Sequence, residues 1–220
     1  MLVNNSIKYY SYLCRRTEST RNGPMKIIFA SANPGKIREA SEILGEGYEI
    51  ISAREAGITE DIPETGNTIR DNSLQKAMYI YEKTRCDCFA DDTALEVDAL
   101  GGAPGVHTAR YGGEQKDFNA NMDRLLRELE GKDDRKARFH TCVTLILGGQ
   151  VHFFDGIMEG SIATAKSGNG GFGYDPVFLP EGCGGLSAAE IGEEHKNAIS
   201  HRGRALRKMA EFVKSLEKKD

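Results

Sequence analysis

Apolar positions recur along this chain in two rhythms, one of strands and one of helices. Residues 26–30 form a short continuous apolar run bounded by turn residues, as expected for a strand buried on both faces. Asn33 then stands as a helix N-cap and Pro34 at the first helical position; Ile37, Ala40, Ser41 and Leu44 share one helical face, and Gly45 supplies the stop. A second strand is expected over residues 48–52, followed by an acidic loop with Glu60, Asp61 and Glu64. A longer helix over residues 68–83 carries an apolar stripe of Ile69, Ala77, Ile80 and Tyr81, with Asn72 and Lys76 four apart and therefore facing the same way. The apolar run reaching Phe89 reads as the end of a buried strand, and Asp91 and Asp92 follow at once.

Downstream, residues 117–130 give an amphipathic helix with Phe118, Met122, Leu125, Leu126 and Leu129 inward and Gly131 at its end. Residues 137–147 and 150–162 read as two long strands joined by Gly148-Gly149, a two-residue hairpin signal. A last helix, capped by Ser200, is expected to bury Leu206, Met209, Val213 and Leu216. Strand–helix alternation interrupted by one hairpin predicts an α/β fold: a mixed, twisted sheet with flanking helices, the hairpin forming much of a second lobe.

The remaining composition narrows the function. Across 220 residues, 29 Lys+Arg against 33 Asp+Glu leave a net charge of -4, which argues against general binding to a nucleic-acid backbone. No apolar run approaches the roughly 18 residues of a membrane span. Five scattered cysteines suit a reducing cytoplasm better than a disulfide framework, and Cys86 and Cys88 read as ordinary thiols. Residues 1–24 are polar and lack helical or strand periodicity; they are read as an extension outside the fold and poorly ordered, with Met25 a candidate natural start and residues 25–220 a single two-lobed domain.

Candidate chemistry concentrates in five stretches. Adjacent side chains on an extended strand point to opposite faces, so in an interior strand Asp91 and Asp92 cannot both be surface charges, and one needs a cation or a donor. A solvated acidic pair in a loop is the plainer alternative. Lys36 falls in the first turn of its helix, where the macrodipole disfavours a cation, and Ser200 would place His201 and Arg202 in the same position of theirs. Two such inversions in an acidic protein suggest that a bound anion supplies the missing charge. Lys76, between Glu64 and the aspartates in sequence, suits a shared site. Four glycines around Phe172, Tyr174 and Asp175 would let backbone and ring approach a flat ligand, with Asp175 accepting from a base edge; a structural turn fits the pattern equally.

In chain order these stretches read SANPGK, ETGNTIRDNSLQKA, FADDTALEVDALGGAPGVHTARY, GNGGFGYDPVF and KNAISHRGRAL. Together they resemble the inosine triphosphate pyrophosphatase family, which hydrolyses noncanonical purine nucleoside triphosphates, over almost everything beyond residue 24. The resemblance implies two lobes with the active site in the cleft between them, a magnesium cofactor and a homodimer. It implies that the triphosphate lies against Ser31, Ala32, Asn33, Pro34, Gly35 and Lys36, with Lys76, Lys196 and Arg202. The base would lie near Phe172, Gly173, Tyr174, Asp175 and His201, stacked on Phe172, and Thr93 would contact substrate. Glu64 and Asp92 would hold magnesium, and Asp92 would accept the proton of the attacking water with Asp91 supporting. Ala94 stands where the family often has glycine, so a glycine-only conformation there would force the loop to shift. A donor such as His201 would favour the 6-carbonyl of inosine or xanthosine, and an unsatisfied 2-amino group would reject guanosine. The competing reading is a regulatory module that binds triphosphates without cleaving them; a phosphatase releasing orthophosphate is a further one.

Overall fold

Side-chain parity along the strands governs how the core is built. The computed structural model describes residues 23–217, so the disorder expected for the first 24 residues lies almost wholly outside the described residues. The first apolar run is strand β1, Met25–Phe29, and the capped segment after it is helix α1, Pro34–Leu44. Strand β2 spans Tyr48–Ser52, helix α2 Ile69–Thr84 and strand β3 Cys88–Val97. A short β4, Pro104–Gly105, precedes helix α3, Phe118–Glu128. The hairpin is formed by β5, Lys136–Leu147, and β6, Gln150–Ile162; Gly148 and Gly149 both take positive φ, 57° and 81°, as a tight turn matched to strand twist requires. Strand β7, Phe178–Pro180, helix α4, Glu193–Ile199, and helix α5, His201–Glu217, complete the order. The sheet runs β2-β1-β3-β5-β6-β7, with β4 paired to β3. It is mixed: β1 is parallel to β2 and β3, whereas β3–β4 and β6–β7 are antiparallel.

Among the described residues the chain divides into two compact units, residues 23–92 with 142–154 and 205–217, and residues 93–141 with 155–204. In the first unit Met25, Ile27 and Phe29 join Phe89, Val143 and Leu145 under α1 and α5, while Ile28 joins Cys88, Ala90 and Ile146 under α2. Phe29 and Phe89 stack at 4.4 Å. The crossovers through α1 and α2 thus cover opposite faces, and β1 lies between β2 and β3, so the chain reverses direction of travel across the sheet at the carboxyl ends of β1 and β3. The second unit packs Leu95, Val97, Phe139, Met158 and Phe178 with Met122 and Leu125 of α3. No helix among the described residues is long and apolar enough to cross a membrane.

Several expectations need correction. Ser41 is exposed and bonds back to the Ile37 carbonyl at 2.9 Å, so it is not on the buried face of α1. Phe118 and Leu216 remain 40% and 37% exposed instead of entering the core. Cys88 is a buried free thiol, but Cys86 is disulfide-bonded rather than an ordinary thiol. The two aspartates lie within β3, not at its end, and Ala94 is a buried strand residue without positive φ, so its position demands no glycine.

Candidate active site

Parity in β3 sends the two aspartates to different helices. Asp91 shares the face of Phe89, toward α1, where both its oxygens lie 3.0 Å from Lys36 Nζ. Asp92 shares the face of Cys88 and Ala90, toward α2, where it accepts from Lys76 Nζ at 3.2 Å and from Asn72 Nδ2 at 3.1 Å. Lys76 Nζ also donates to Glu64 Oε1 at 2.5 Å. Alternation of the strand and four-residue spacing on α2 therefore bring Asn72 and Lys76 to Asp92, and the loop before α2 brings Glu64 to the same Lys76 ammonium.

Burial and charge compete strongly here. Asp91 is 2% exposed and Lys76 5%. Burial works against the Lys76 ammonium, but the carboxylates of Asp92, Asp91 and Glu64 outweigh it and hold its pKa above the ordinary lysine range. For Asp92 burial prevails: with Glu64 nearby it raises the carboxyl pKa above the ordinary value despite Lys76, Lys36 and the Asn72 hydrogen bond. The counter-charge of Lys36 is the internal carboxylate of Asp91, so its place in a helix start does not by itself demand a bound anion.

Ser31 and Asn33 shape the turn between β1 and α1. Ser31 Oγ accepts from Asn33 N at 3.2 Å, and Asn33 Oδ1 accepts from Gly35 N at 2.9 Å and Lys36 N at 3.3 Å, making Asn33 the expected cap. Pro34 opens the helix behind it, and Ala32 lies in the turn. The first unit thus contains Ser31 to Lys36, Glu64, Lys76, Asp91 and Asp92.

Thr93, Phe172, Gly173, Tyr174, Asp175, Lys196, His201 and Arg202 belong to the second unit. Thr93 Oγ1 lies 2.6 Å from Thr141 Oγ1. Phe172 is 44% exposed and meets Phe118, itself 40% exposed, edge to face at 4.7 Å. Asp175 is buried; one carboxylate oxygen accepts from Phe172 N and from Lys196 Nζ, the latter at 2.5 Å. Gly171 has φ +84° and sits against that carboxylate, so the loop folds back closely only with glycine there. Tyr174 is buried, burial pushes its phenol pKa up, and its hydroxyl donates to the Thr108 carbonyl at 2.9 Å. Ser200 Oγ accepts from Gly203 N at 2.9 Å as the cap of α5, and buried His201 stacks on Phe139 at 4.7 Å beside buried Arg202.

Glu64 and Asp92 supply the oxygens suited to a hard divalent cation. Both already converge on a single cationic atom, Lys76 Nζ. Among the described residues no group of three or more His, Cys, Asp and Glu side chains is placed to hold a metal ion. From the sequence Asn72 was marked only as sharing a face with Lys76, with no role attached; Gln75 and Thr141 were not singled out, and nothing in the pattern marked them.

The sequence profile of the Ham1 family matches residues 27–212. A protein named dITP/XTP pyrophosphatase from Flavobacterium psychrophilum is 49% identical over 191 residues, 87% of this chain and 100% of the relative. One of the same name from Porphyromonas gingivalis is 50% identical, covering 86% of this chain and 97% of its own. The solved structure of the Staphylococcus aureus Ham1 protein has a TM-score of 0.79 at 35% identity, covering 86% of this chain and 98% of that one.

Proposed function

Because the chain belongs to the Ham1 family, we propose that it hydrolyses noncanonical purine nucleoside triphosphates, ITP, dITP and XTP, to the monophosphate and pyrophosphate. The relatives named dITP/XTP pyrophosphatase support this substrate class. The observation that carries the reading is the convergence of Glu64 and Asp92 on Lys76 beside the Lys36–Asp91 pair: two cations and three carboxylates where a binder of triphosphate alone needs only the cations.

In the proposed reaction water attacks the α-phosphorus and pyrophosphate leaves. Asp92 orients the water and takes its proton. Asp91 keeps the Lys36 ammonium at the carboxyl end of β1, next to the turn of Ser31, Ala32, Asn33, Pro34 and Gly35 that receives the triphosphate. Lys76 and Lys36, with Lys196 and Arg202, offset charge on the leaving group. Phe172 stacks on the base, with Gly173, Tyr174, Asp175 and His201 around it, and Thr93 contacts the substrate. Glu64 and Asp92 would hold magnesium, which supplies electrophilic stabilisation of the phosphoryl oxygens. Residues 25–220 form the working domain, and the enzyme works as a homodimer in the cytoplasm. Incubation with ITP and magnesium tests the reading directly: pyrophosphate is expected, orthophosphate would indicate a phosphatase, and no release would favour the regulatory module.

A further inference from the structure

Glu64 and Asp92 are far apart in sequence, yet one side chain reaches the supports of both. Asn72, on α2 and only 5% exposed, donates from Nδ2 to Asp92 Oδ2 at 3.1 Å. Its Oδ1 accepts from Gly66 N at 2.7 Å, two residues beyond Glu64. Chemistry fixes this orientation of the amide, because a carboxylate can only accept and a backbone N–H can only donate. Approach to the loop is tight: a Cβ on Gly66 would lie 2.9 Å from Asn72 Oδ1 and 3.0 Å from Asn72 N. One turn further along α2, Gln75 Oε1 accepts from Thr65 N at 2.9 Å, so the residue next to Glu64 is held as well.

We infer that Asn72 is a positioning residue for the metal-binding carboxylates, fixing Asp92 directly and the Glu64 loop through Gly66, so that their spacing is set before any cation arrives. This rests on the proposed metal-assisted hydrolysis and assigns a task to a neutral residue beside it. Lys76 cannot perform that task alone. Its ammonium touches both carboxylates, but on a flexible stem whose position follows theirs. The Asn72 amide, on a short side chain between two fixed partners, constrains orientation. Outer hydrogen bonds of this kind typically govern metal affinity or activity by roughly 10- to 100-fold.

The test compares wild type with Asn72→Leu, which keeps similar volume and removes both hydrogen bonds, and with Asn72→Ala, which admits water where leucine prevents folding. Manganese binding to the nucleotide-free protein is followed by electron paramagnetic resonance, Gly66 amide exchange by NMR, and ITP hydrolysis across magnesium concentrations. Expected in the variants are manganese affinity weakened about 10- to 100-fold, a comparable rise in the magnesium needed for half-maximal rate, faster Gly66 exchange, and an ITP KM near wild type at saturating magnesium. A purely structural Asn72 would speed Gly66 exchange and leave manganese affinity and magnesium requirement alone; that result in an active wild-type background overturns the inference and spares the function. A wild type that releases no pyrophosphate from ITP overturns the function, and the inference with it.

Discussion

Asp92 carries two conflicting demands, and their conflict is measurable. Burial raises its folded pKa above the ordinary carboxyl value of 3.8, so in metal-free protein the folded state holds its proton more tightly than the unfolded chain. The sign follows: its contribution favours folding below the unfolded pKa and is lost as pH rises from there through the folded pKa. Asp92→Asn abolishes this loss. The variant is expected to gain stability relative to wild type as pH rises above the ordinary carboxyl value of 3.8 in urea titrations run with chelator, while its ITP turnover falls by about 100-fold or more. Wild-type turnover would remove Asp92 from the base role, and a stability difference independent of pH would remove the burial argument. Much at this scale was legible in the sequence. Parity predicted that Asp91 and Asp92 diverge, and the four-residue spacing predicted that Asn72 and Lys76 face together. Their partners were not legible, because spacing gives a direction and not what lies along it. For the same reason Lys36, read as awaiting an external anion, has Asp91 as its counter-charge.

Among the elements, periodic ones were foreseen and aperiodic ones were not. Helix α2 and the β5–β6 hairpin fell close to the expected ranges because many residues contribute to each pattern. Helix α4 escaped notice: it has seven residues and buries none of them, so no apolar stripe marks it, although it holds Lys196 against Asp175. Phe118 shows the opposite error, since its helical position was right but its ring lies on Phe172. The glycine-rich loop gives the prediction proper to this scale. Gly171→Ala must adopt a positive φ and press its methyl on the Asp175 carboxylate, loosening the hold on Phe172 N and Lys196 together. We expect its KM for ITP to rise several-fold with kcat changed less, because the loop is assigned to base binding and Asp92 to chemistry. Steady-state kinetics showing the reverse split would move the loop into the chemical step.

At the scale of the whole molecule, strand–helix alternation sufficed to foresee a mixed α/β sheet. It did not reveal that β3, β5 and β6 each pass from one compact unit into the other, since strand periodicity is the same on both sides of the handover. Selectivity belongs to this scale, because it compares entire substrates. If the 2-amino group of guanine is left unpaired on binding, kcat/KM for ITP should exceed that for GTP by roughly tenfold or more; equal values in a pyrophosphate-release assay would defeat the explanation. The divergence of Asp91 and Asp92 also bears on how this sequence can change. Losing one residue from β3 just ahead of the pair would slip the register and exchange the carboxylates between α1 and α2, whereas losing two would return each to its own side. Frame-preserving insertions and deletions in that strand should therefore be tolerated, if at all, in even numbers: the strand counts its residues modulo two.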